Sequence, residues 1–468
     1  MKFLNRSREI RNLDAVVERE PAQFLVIFGR RRIGKTSLLK HWAFEASSAP
    51  AVYWVAHRST PGILLKSFSE AVGKALGLEA DFTYNSWEAA LTHVFQAARE
   101  KRILLVLDEF TYLLDSVPGI STLIQKVWDE EKDASKVLFV VCGSHYHMMH
   151  TAFLSPKQPL YGRSTASMLL EEIPPSEIGQ FLPRYSPAQV VETYAVIGGV
   201  PQYLEMWDDR RPVLRNIEEL ILSPVSLFRH EALYLVQDEI AEPRTYLGIL
   251  MALGAGLKTP VKLAEETGLQ INHMGKYLST LVDLRFVRRV LSEDVENRKN
   301  TRISRYEIRD PFLRFYFEFI YRHPEWIEQE RPAKFMELIR GQFEAYVGRT
   351  GYEELARRHV VSLGDQGQLP FSPEYVGRAF NRKAEIDIVG IDWGSRSVLL
   401  GECKWRKSKT GTEELDSLSA RARKLDRLDS FQKHYILFSK SGFTQKMQER
   451  AQEENVVLVE GAEFAVDK

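Results

Sequence analysis

A chain of 468 residues with 63 basic and 63 acidic residues is not a uniformly basic nucleic-acid-coating protein. Its length predicts roughly two to four domains, and its 44% hydrophobic content predicts a soluble globular protein with a large core. Only two cysteines are present, Cys142 and Cys403, which excludes a disulfide framework or a thiolate zinc site. No signal-peptide core begins the sequence, and no apolar run reaches the roughly 20 residues of a membrane span, so we expect a cytoplasmic protein without membrane association.

The first functional motif is a glycine-rich loop between an apolar run at 24–28 and a helical pattern that starts at Ser37. This order of strand, Gly-x-x-x-x-Gly-Lys-Thr loop and helix is typical of a P-loop, whose backbone N–H groups surround nucleotide phosphates. Lys35 would make a catalytic contact with the β and γ phosphates, and the Thr36 hydroxyl would bind Mg²⁺. An ordinary strand-to-helix turn is the alternative, which a second motif downstream disfavours. We therefore expect ATP and Mg²⁺, with nucleotide contacts from Gly29, Arg30, Arg31, Arg32, Ile33, Gly34, Lys35, Thr36 and Ser37.

The second motif is a pair of acids, Asp108 and Glu109, at the end of a fully apolar run at 103–107 that predicts a central parallel strand. Asp108 is placed for the Mg²⁺ shell, and Glu109 would polarise a water for attack on the γ phosphate. Ser144 follows the next strand, where it is either a sensor of the γ phosphate or a plain strand terminus. Arg163 is either a phosphate contact or a solvated surface arginine.

The middle of the chain predicts a helical segment followed by a winged helix. Three short helical patterns at 246–257, 261–268 and 271–284 precede two strand-like runs on either side of a polar turn at 294–300. A basic wing beside a polar helix start suits contact with DNA phosphates, although winged helices also serve only as packing modules. The expected nucleic-acid contacts are Lys276, Arg298, Lys299 and Arg302.

The C-terminal part predicts a helix at 335–360 that carries Glu344, followed by strands at 384–390 and 398–405. Side chains alternate along a strand, so Glu402 and Lys404 share one face, and Asp387 on the paired strand can meet them. The two carboxylates can hold a hard divalent cation, with Lys404 catalytic beside an attacking water. A buried salt bridge across the hairpin is the alternative.

These residues together resemble the archaeal-type ATPases that join a STAND-like AAA+ core to a C-terminal domain of uncharacterised function. The resemblance runs almost end to end and includes the segments 3–9, 29–36, 107–109, 142–144, 160–163, 198–204, 310–312, 385–387 and 401–404. The Asn-Arg start and the Gly-x-Pro turn of this chain are similar to segments that flank the adenine in such proteins. The similarity implies nucleotide contacts for Asn5, Arg6 and Pro201.

The C-terminal domain resembles the PD-(D/E)xK nuclease fold. That resemblance implies that a helix glutamate such as Glu344 joins Asp387 and Glu402 as a ligand of Mg²⁺ or Mn²⁺. Nuclease activity varies among such proteins, so the fold is implied more strongly than the activity.

The expected fold class is α/β, with a P-loop parallel-sheet core of the ASCE (AAA+/STAND-like) type. The expected domains are the ATPase core at 1–172, a helical lid at 173–240, a winged helix at 241–310, a linker helix at 311–334 and an α/β/α restriction-endonuclease-like domain at 335–468. We expect ATP binding and hydrolysis coupled to DNA binding and metal-dependent cleavage of nucleic acid. The alternative is a non-nuclease ATP-dependent signalling or scaffold switch with protein partners, and a homo-oligomer is left open.

Overall fold

The computed structural model describes residues 4, 6–47, 49–79, 82–296 and 304–466. It divides into two compact units, Met1–Glu172 and Ile173–Lys468. Within these described ranges, no helix has the length and apolar character needed to cross a membrane. Each unit contains its own five-stranded sheet.

The first unit is a parallel sheet between layers of helices. Its elements are α1 (Ser7–Val17), β1 (Gln23–Phe28), α2 (Lys35–His41), β2 (Ala51–Val55), α3 (Pro61–Leu76), α4 (Trp87–Ala97), β3 (Leu104–Asp108), α5 (Phe110–Ser116), α6 (Ile120–Glu131), β4 (Leu138–Gly143), α7 (Tyr146–Leu154) and β5 (Ala166–Leu169). The strands lie in the order β2-β3-β4-β1-β5, and every neighbouring pair is parallel.

Burial on both faces explains why these strands read as continuous apolar runs. Alternate residues of β1 belong to separate cores, Phe24 and Val26 to one and Leu25 and Ile27 to the other. All residues of β3 and β4 are buried. Because the strands are parallel, the loop after β1, the acids after β3 and Ser144 after β4 meet at the same edge of the sheet.

The second unit begins with helices and a hairpin. These elements are α8 (Pro187–Ile197), α9 (Pro201–Met206), α10 (Val213–Asn216), α11 (Phe228–Glu239), α12 (Arg244–Gly254), α13 (Pro260–Thr267), α14 (Ile271–Asp283), β6 (Val287–Leu291), β7 (Ser304–Ile308), α15 (Pro311–Phe315) and α16 (Pro324–Glu328). Three helices, α12 to α14, precede the antiparallel hairpin of β6 and β7, in the order that the sequence predicts.

The rest of the second unit is a mixed sheet with helices on both faces. Its elements are α17 (Pro332–Val347), α18 (Glu353–Asp365), β8 (Tyr375–Phe380), β9 (Glu385–Asp392), β10 (Ser397–Lys404), α19 (Thr412–Ala422), β11 (Gln432–Ser439), α20 (Gln445–Glu454) and β12 (Val457–Glu460). The strand order is β12-β11-β10-β9-β8, with antiparallel pairing from β8 to β10 and parallel pairing from β10 to β12. Alternate residues of β10 again face separate cores. Leu399 belongs to the core that contains α8, α17 and α18, and Leu400 belongs to the core that contains α19 and α20.

The segments expected as lid, winged helix, linker and C-terminal domain share one continuous core. The Tyr346 hydroxyl of α17 donates to the carbonyl oxygen of Ala195 in α8 at 3.1 Å. A Cβ added to Gly351 would lie 2.9 Å from the Ala195 Cβ, so the two segments are in close contact. The helical segment and the C-terminal sheet are therefore parts of a single compact unit.

Candidate nucleotide site and C-terminal carboxylate cluster

Two glycines shape the loop that follows β1. Gly34 has φ 88° and ψ 22° directly before α2, in the left-handed region that favours glycine. At Gly29 a Cβ would lie 2.5 Å from the carbonyl oxygen of Leu170, closer than real Cβ atoms come. The loop therefore needs glycine at its start for close packing and at its end for backbone conformation.

Lys35 lies across this loop and is 6% exposed. Its ammonium group donates to the carbonyl oxygens of Gly29 at 2.9 Å and Arg30 at 3.0 Å. Arg6 also belongs to this region, because its guanidinium donates to the Ile33 carbonyl at 2.9 Å and pairs with Glu9 at 3.1 Å. The two cations thus lie at the loop that the sequence predicts to bind phosphates.

Asp108 is 1% exposed and accepts hydrogen bonds from uncharged donors. Its Oδ2 accepts from the Thr36 hydroxyl at 2.8 Å and the Tyr53 hydroxyl at 2.7 Å, and its Oδ1 accepts from the Glu109 N–H at 2.9 Å. Burial and the carboxylate of Asp108 raise the pKa of Tyr53 well above its usual range, so the hydroxyl stays a donor. Thr36 and Asp108 together form an oxygen donor set of the kind that Mg²⁺ prefers.

Glu109 follows with φ 53° and ψ 40°, a left-handed conformation that non-glycine residues adopt uncommonly. Its Oε2 accepts a hydrogen bond from the Ser144 hydroxyl at 2.8 Å. The structure therefore brings Ser144 next to the acid that the sequence predicts as the catalytic base. The donor is again neutral, so the contact positions the carboxylate without neutralising its charge.

The remaining predicted nucleotide contacts are placed as follows. Arg163 donates to Asp129 at 3.1 Å and to the Tyr161 carbonyl at 3.1 Å. Arg30 pairs with Glu172 at 3.4 Å. Pro201 begins α9 in the second unit, and Asn5 lies outside the described residues. Adenine contacts of Asn5, Arg6 and Pro201 and a phosphate contact of Arg163 stay predictions.

Tyr53 is the residue of this site that the sequence analysis missed. The run 51–55 predicts only a second strand, and nothing local to it indicates a polar role. The signal lies in the pairing of β2 with β3, which matches Tyr53 with Val106 and Val55 with Asp108. Tyr53, Val106 and Asp108 are on one face of neighbouring strands, and this can be read only when the strand order is known.

At the C-terminal sheet, Glu402 is 5% exposed and is held by two cations. It accepts from Lys404 at 2.8 Å and from Arg421 of α19 at 2.7 Å. Lys404 also pairs with Glu414 at 3.1 Å. The predicted meeting of Glu402 and Lys404 on one face therefore occurs, as an ion pair.

Asp387 lies beside Glu402, because Ile388 pairs with Gly401 across the two strands. Its carboxylate accepts from the Cys403 N–H at 3.3 Å. Burial raises the pKa of Asp387 well above its usual range, and the nearby Glu353 and Glu402 raise it further.

The helix glutamate near this pair is Glu353 and not Glu344, which corrects the sequence prediction. Glu344 is exposed on α17, whereas Glu353 begins α18 and contributes to the raised pKa of Asp387. The predicted continuous helix at 335–360 is interrupted by a π-helical turn, Gly348–Tyr352.

The C-terminal cluster is an ion-pair network in this conformation. Among the residues that the structure describes, no group of three or more His, Cys, Asp or Glu side chains is arranged to hold a metal ion. The donor set would fit a divalent cation only if Lys404 or Arg421 released Glu402.

The nucleic-acid contacts predicted in the wing cannot be located, since Arg298, Lys299 and Arg302 lie outside the described residues. Lys276 is exposed on α14, as a phosphate contact requires. Two other hairpin arginines form internal ion pairs. Arg288 pairs with Glu307 at 3.4 Å and Glu354 at 3.2 Å, and Arg305 pairs with Glu385 at 2.7 Å.

Comparisons with known proteins match both halves of the chain. Residues 3–207 match a family described as an ATPase domain predominantly from Archaea, and residues 316–415 match a family of archaeal and bacterial proteins of unknown function. An uncharacterized protein of Methanocaldococcus jannaschii is 28% identical over 446 residues, which cover 94% of this chain and 95% of that protein.

Two solved structures are also similar. A Walker-type ATPase of Pyrococcus abyssi is 18% identical with a TM-score of 0.50, and the match covers 67% of this chain and 96% of that one. The ORC2 protein of Aeropyrum pernix is 14% identical with a TM-score of 0.44, covering 70% and 95%. The family match and the geometry of Lys35, Asp108 and Glu109 lead to the same conclusion: the first unit contains a P-loop ATPase domain, and the protein is an ATPase.

Proposed function

We propose that this ATPase is a switch in which binding and hydrolysis of Mg²⁺-ATP control the engagement of DNA by the second unit. The observation that carries the proposal is the set of two acids, Asp108 and Glu109, held in place by neutral hydroxyl groups beside a loop lysine. Such a set keeps its negative charge for a cation and a reacting water, which is what hydrolysis of a phosphoanhydride requires.

Each residue at this edge of the sheet has a separate role in the proposed hydrolysis. Lys35 exchanges its two carbonyl acceptors for phosphate oxygens, which are stronger partners because they are charged. Thr36 and Asp108 would hold Mg²⁺, which supplies neutralisation of the phosphate charge. Glu109, oriented by Ser144, accepts the proton of the attacking water.

Support for DNA engagement comes from the second unit. Three helices followed by an antiparallel hairpin, with Lys276 exposed on the third helix, suit a winged helix that contacts the DNA backbone. The ion pairs of Arg288 and Arg305 make these two arginines less available to DNA than the exposed Lys276. The other proposed contacts are Arg298, Lys299 and Arg302. A packing module with protein partners is the rival function.

A salt titration tests the DNA proposal. Binding of labelled duplex DNA to the ATP-bound Glu109→Gln protein is measured by fluorescence anisotropy at several salt concentrations, beside Arg298→Glu with Lys299→Glu. We expect the slope of log affinity against log salt to fall by about 0.9 for each lost phosphate contact on duplex DNA. Arg331→Glu with Lys334→Glu, on an exposed segment of the same unit, is the matched control. Absence of binding with and without ATP would favour protein partners.

We further propose that Asp387 and Glu402 serve metal-dependent cleavage once a divalent cation displaces Lys404 or Arg421. The buried Glu402 and the half-buried Asp387, on adjacent strands beside Glu353, support this step, and the ion pairs oppose it. Nucleic acids incubated with ATP and Mn²⁺ should be cut by the parent protein and left intact by Asp387→Asn. If the parent protein binds DNA and hydrolyses ATP but cuts no substrate, the proposal of cleavage is rejected, and the proposal of ATP-controlled DNA binding is kept.

A further inference from the structure

A cavity of about 290 Å³ lies between the β6–β7 hairpin and the edge strand β8, beside α18. The hairpin region is joined to β8 by hydrogen bonds, since the Glu293 N–H donates to the Arg378 carbonyl at 2.8 Å and the Phe380 N–H to the Ser292 hydroxyl at 2.7 Å. The charged side chains that line the cavity are Arg288, Arg289, Arg357, Arg378, Glu293 and Glu307.

The ion pairs around the cavity contain more cations than carboxylates. Glu307 contacts Lys258, Arg288 and Arg378 at 2.6–3.4 Å. Glu354 contacts Arg288, Arg314 and Arg358 at 3.1–3.7 Å.

Glu353 completes the cluster, with Arg357 at 3.5 Å and Arg378 at 3.8 Å. Six cationic side chains therefore share three carboxylates, and Arg289 and Glu293 add one charge of each sign.

The charged side chains of the cluster differ in exposure. The side chains of Arg314, Arg357 and Arg378 are 10–12% exposed, and those of the three carboxylates 11–15%. Lys258 and Arg358 reach solvent, so water screens part of the excess. The three least exposed cations therefore match the three carboxylates in number, and the excess consists of Lys258, Arg358 and Arg288, whose side chain is 32% exposed.

The titration properties of the cluster reflect tight ion pairing, since the nearby carboxylates raise the pKa of Arg288 and Arg378 against the effect of burial. The neighbouring arginines hold the pKa of Glu307 and Glu354 well below the usual range against the effect of burial, so both are ionised. Burial and the adjacent Arg378 lower the pKa of Arg357, although a guanidinium stays protonated in proteins. The Nε of Arg288 is buried and has no hydrogen-bond partner among the described residues.

We propose that this cavity binds a small phosphorylated ligand through Arg288, Arg289, Arg357 and Arg378. Four arginines and two glutamates line the cavity, and a multiply charged phosphoryl group matches this lining better than a single carboxylate does. The planar guanidinium group also binds phosphate oxygens in pairs. The volume is near the lower end of ligand pockets, which suits a diphosphate or a mononucleotide rather than a folded chain.

The position of Arg357 gives such a ligand a route to the C-terminal carboxylates. Its guanidinium donates to the Asp387 carbonyl oxygen at 2.9 Å and pairs with Glu353. A phosphoryl group that attracts Arg357 weakens both contacts. The ligand site and the carboxylate cluster therefore share one arginine.

Calorimetric titration tests the proposal. The full chain with Lys35→Ala, which weakens the P-loop, is titrated with inorganic pyrophosphate and, separately, with adenosine 5′-monophosphate. We expect saturable binding at one site per chain for at least one probe. Adding Arg289→Gln or Arg357→Gln should weaken it by about 10-fold or more, because each removes a charge-assisted hydrogen bond. Arg340→Gln, an exposed arginine on α17, is the matched control and should leave binding unchanged.

The outcomes separate clearly. Arg289 is exposed, so Arg289→Gln tests the site even if Arg357→Gln does not fold, which a melting curve reveals. Failure of both probes to bind, or binding that Arg289→Gln leaves unaltered, overturns the proposal. A short single-stranded oligonucleotide serves as a third probe. Binding of the oligonucleotide that depends on Arg289, without binding of pyrophosphate or the mononucleotide, assigns the surface to a nucleic-acid backbone and also overturns it.

Discussion

Two groups of acidic side chains lie at strand ends in this protein, and their partners differ in charge. In the first unit, Asp108 and Glu109 are held by the hydroxyls of Thr36, Tyr53 and Ser144. In the second unit, Glu402 is held by the cations Lys404 and Arg421. The hydroxyls satisfy the hydrogen bonds of the first pair of carboxylates without neutralising their negative charge. The cations of the second unit neutralise the charge of Glu402 within the fold.

This difference separates a site that awaits a cation from one that already contains its cations. A carboxylate with neutral donors attracts Mg²⁺ without first losing a partner. A carboxylate in an ion pair must first give up that partner, which costs a charge-assisted hydrogen bond. A pair of acids on strands is therefore an incomplete indication of a metal site until the partners of the acids are known.

The largest expected effect is on hydrolysis in Glu109→Gln. The amide keeps the hydrogen bond from Ser144 but cannot accept a proton, so the rate should fall by about 10²–10⁴-fold while ATP affinity is kept. Single-turnover hydrolysis measures the rate and calorimetry the affinity. Glu130→Gln, an exposed residue on α6, is the control. Hydrolysis at the parent rate would assign the base to another residue.

In the second unit, Glu402→Gln should destabilise the fold. The change removes the charge from two charge-assisted hydrogen bonds, which we expect to lower the free energy of unfolding by about 1.5–3 kcal/mol. Urea denaturation measures it. Among the described residues, the exposed Glu413 pairs only with Arg406, at 3.9 Å, so Glu413→Gln should change stability by about 0.5 kcal/mol or less. Equal stability of the two variants would show that the Glu402 network is not structural.

Asp387→Asn should stabilise the protein in a pH-dependent way. Burial, Glu353 and Glu402 raise the pKa of Asp387, so ionisation of this carboxyl costs stability above the raised pKa. That cost disappears as the pH falls toward the unfolded pKa of about 4. In buffer without divalent cations, the melting temperature of the variant should exceed that of the parent at about pH 8, and the two should converge near pH 4.

Asp392→Asn is the control for the sign of that effect. Ser395 and the Gly394 N–H lower the pKa of Asp392, so loss of its charge should not stabilise the protein at about pH 8. If the parent protein melts at a higher temperature than Asp387→Asn at about pH 8, the raised pKa of Asp387 is contradicted.

The smallest expected effect is that of Tyr53→Phe. Asp108 loses one of its two hydroxyl donors and keeps Thr36, so hydrolysis should slow by about 10-fold or less with little change in ATP affinity. A rise in the Mg²⁺ concentration required for half-maximal rate would distinguish positioning of Asp108 from a general loss of stability. Tyr84→Phe, a buried tyrosine of the same unit, is the control. An unchanged rate and Mg²⁺ requirement would remove Tyr53 from the site.

The sequence predicts those parts of the molecule that depend on contiguous residues. The glycine loop, the acids after β3 and Ser144 after β4 are each local, and parallel strands bring them to one edge of the sheet. Tyr53 was missed because its role depends on which strand lies beside β3. Glu353 was missed because a π-helical turn interrupts the predicted helix.

The ion pairs of Glu402 could not be predicted from the sequence either. Arg421 comes from α19, and its contact depends on how that helix packs on the sheet. The three helices and the hairpin were predicted, but the core that α8 and α17 share requires long-range packing that no local pattern contains. The order of elements follows from local patterns, whereas the partners of charged groups follow from tertiary contacts.

The close approach of Gly29 to Leu170 has a mechanical consequence. No side chain fits between the start of the loop and the backbone just beyond β5, and Arg30 is tied to Glu172 at 3.4 Å. Glu172 is the last residue of the first unit, so the chain leaves that unit from the point where the loop is attached. The start of the loop is therefore held to the end of the first unit by close backbone packing and by one ion pair, so a shift of the loop strains both contacts.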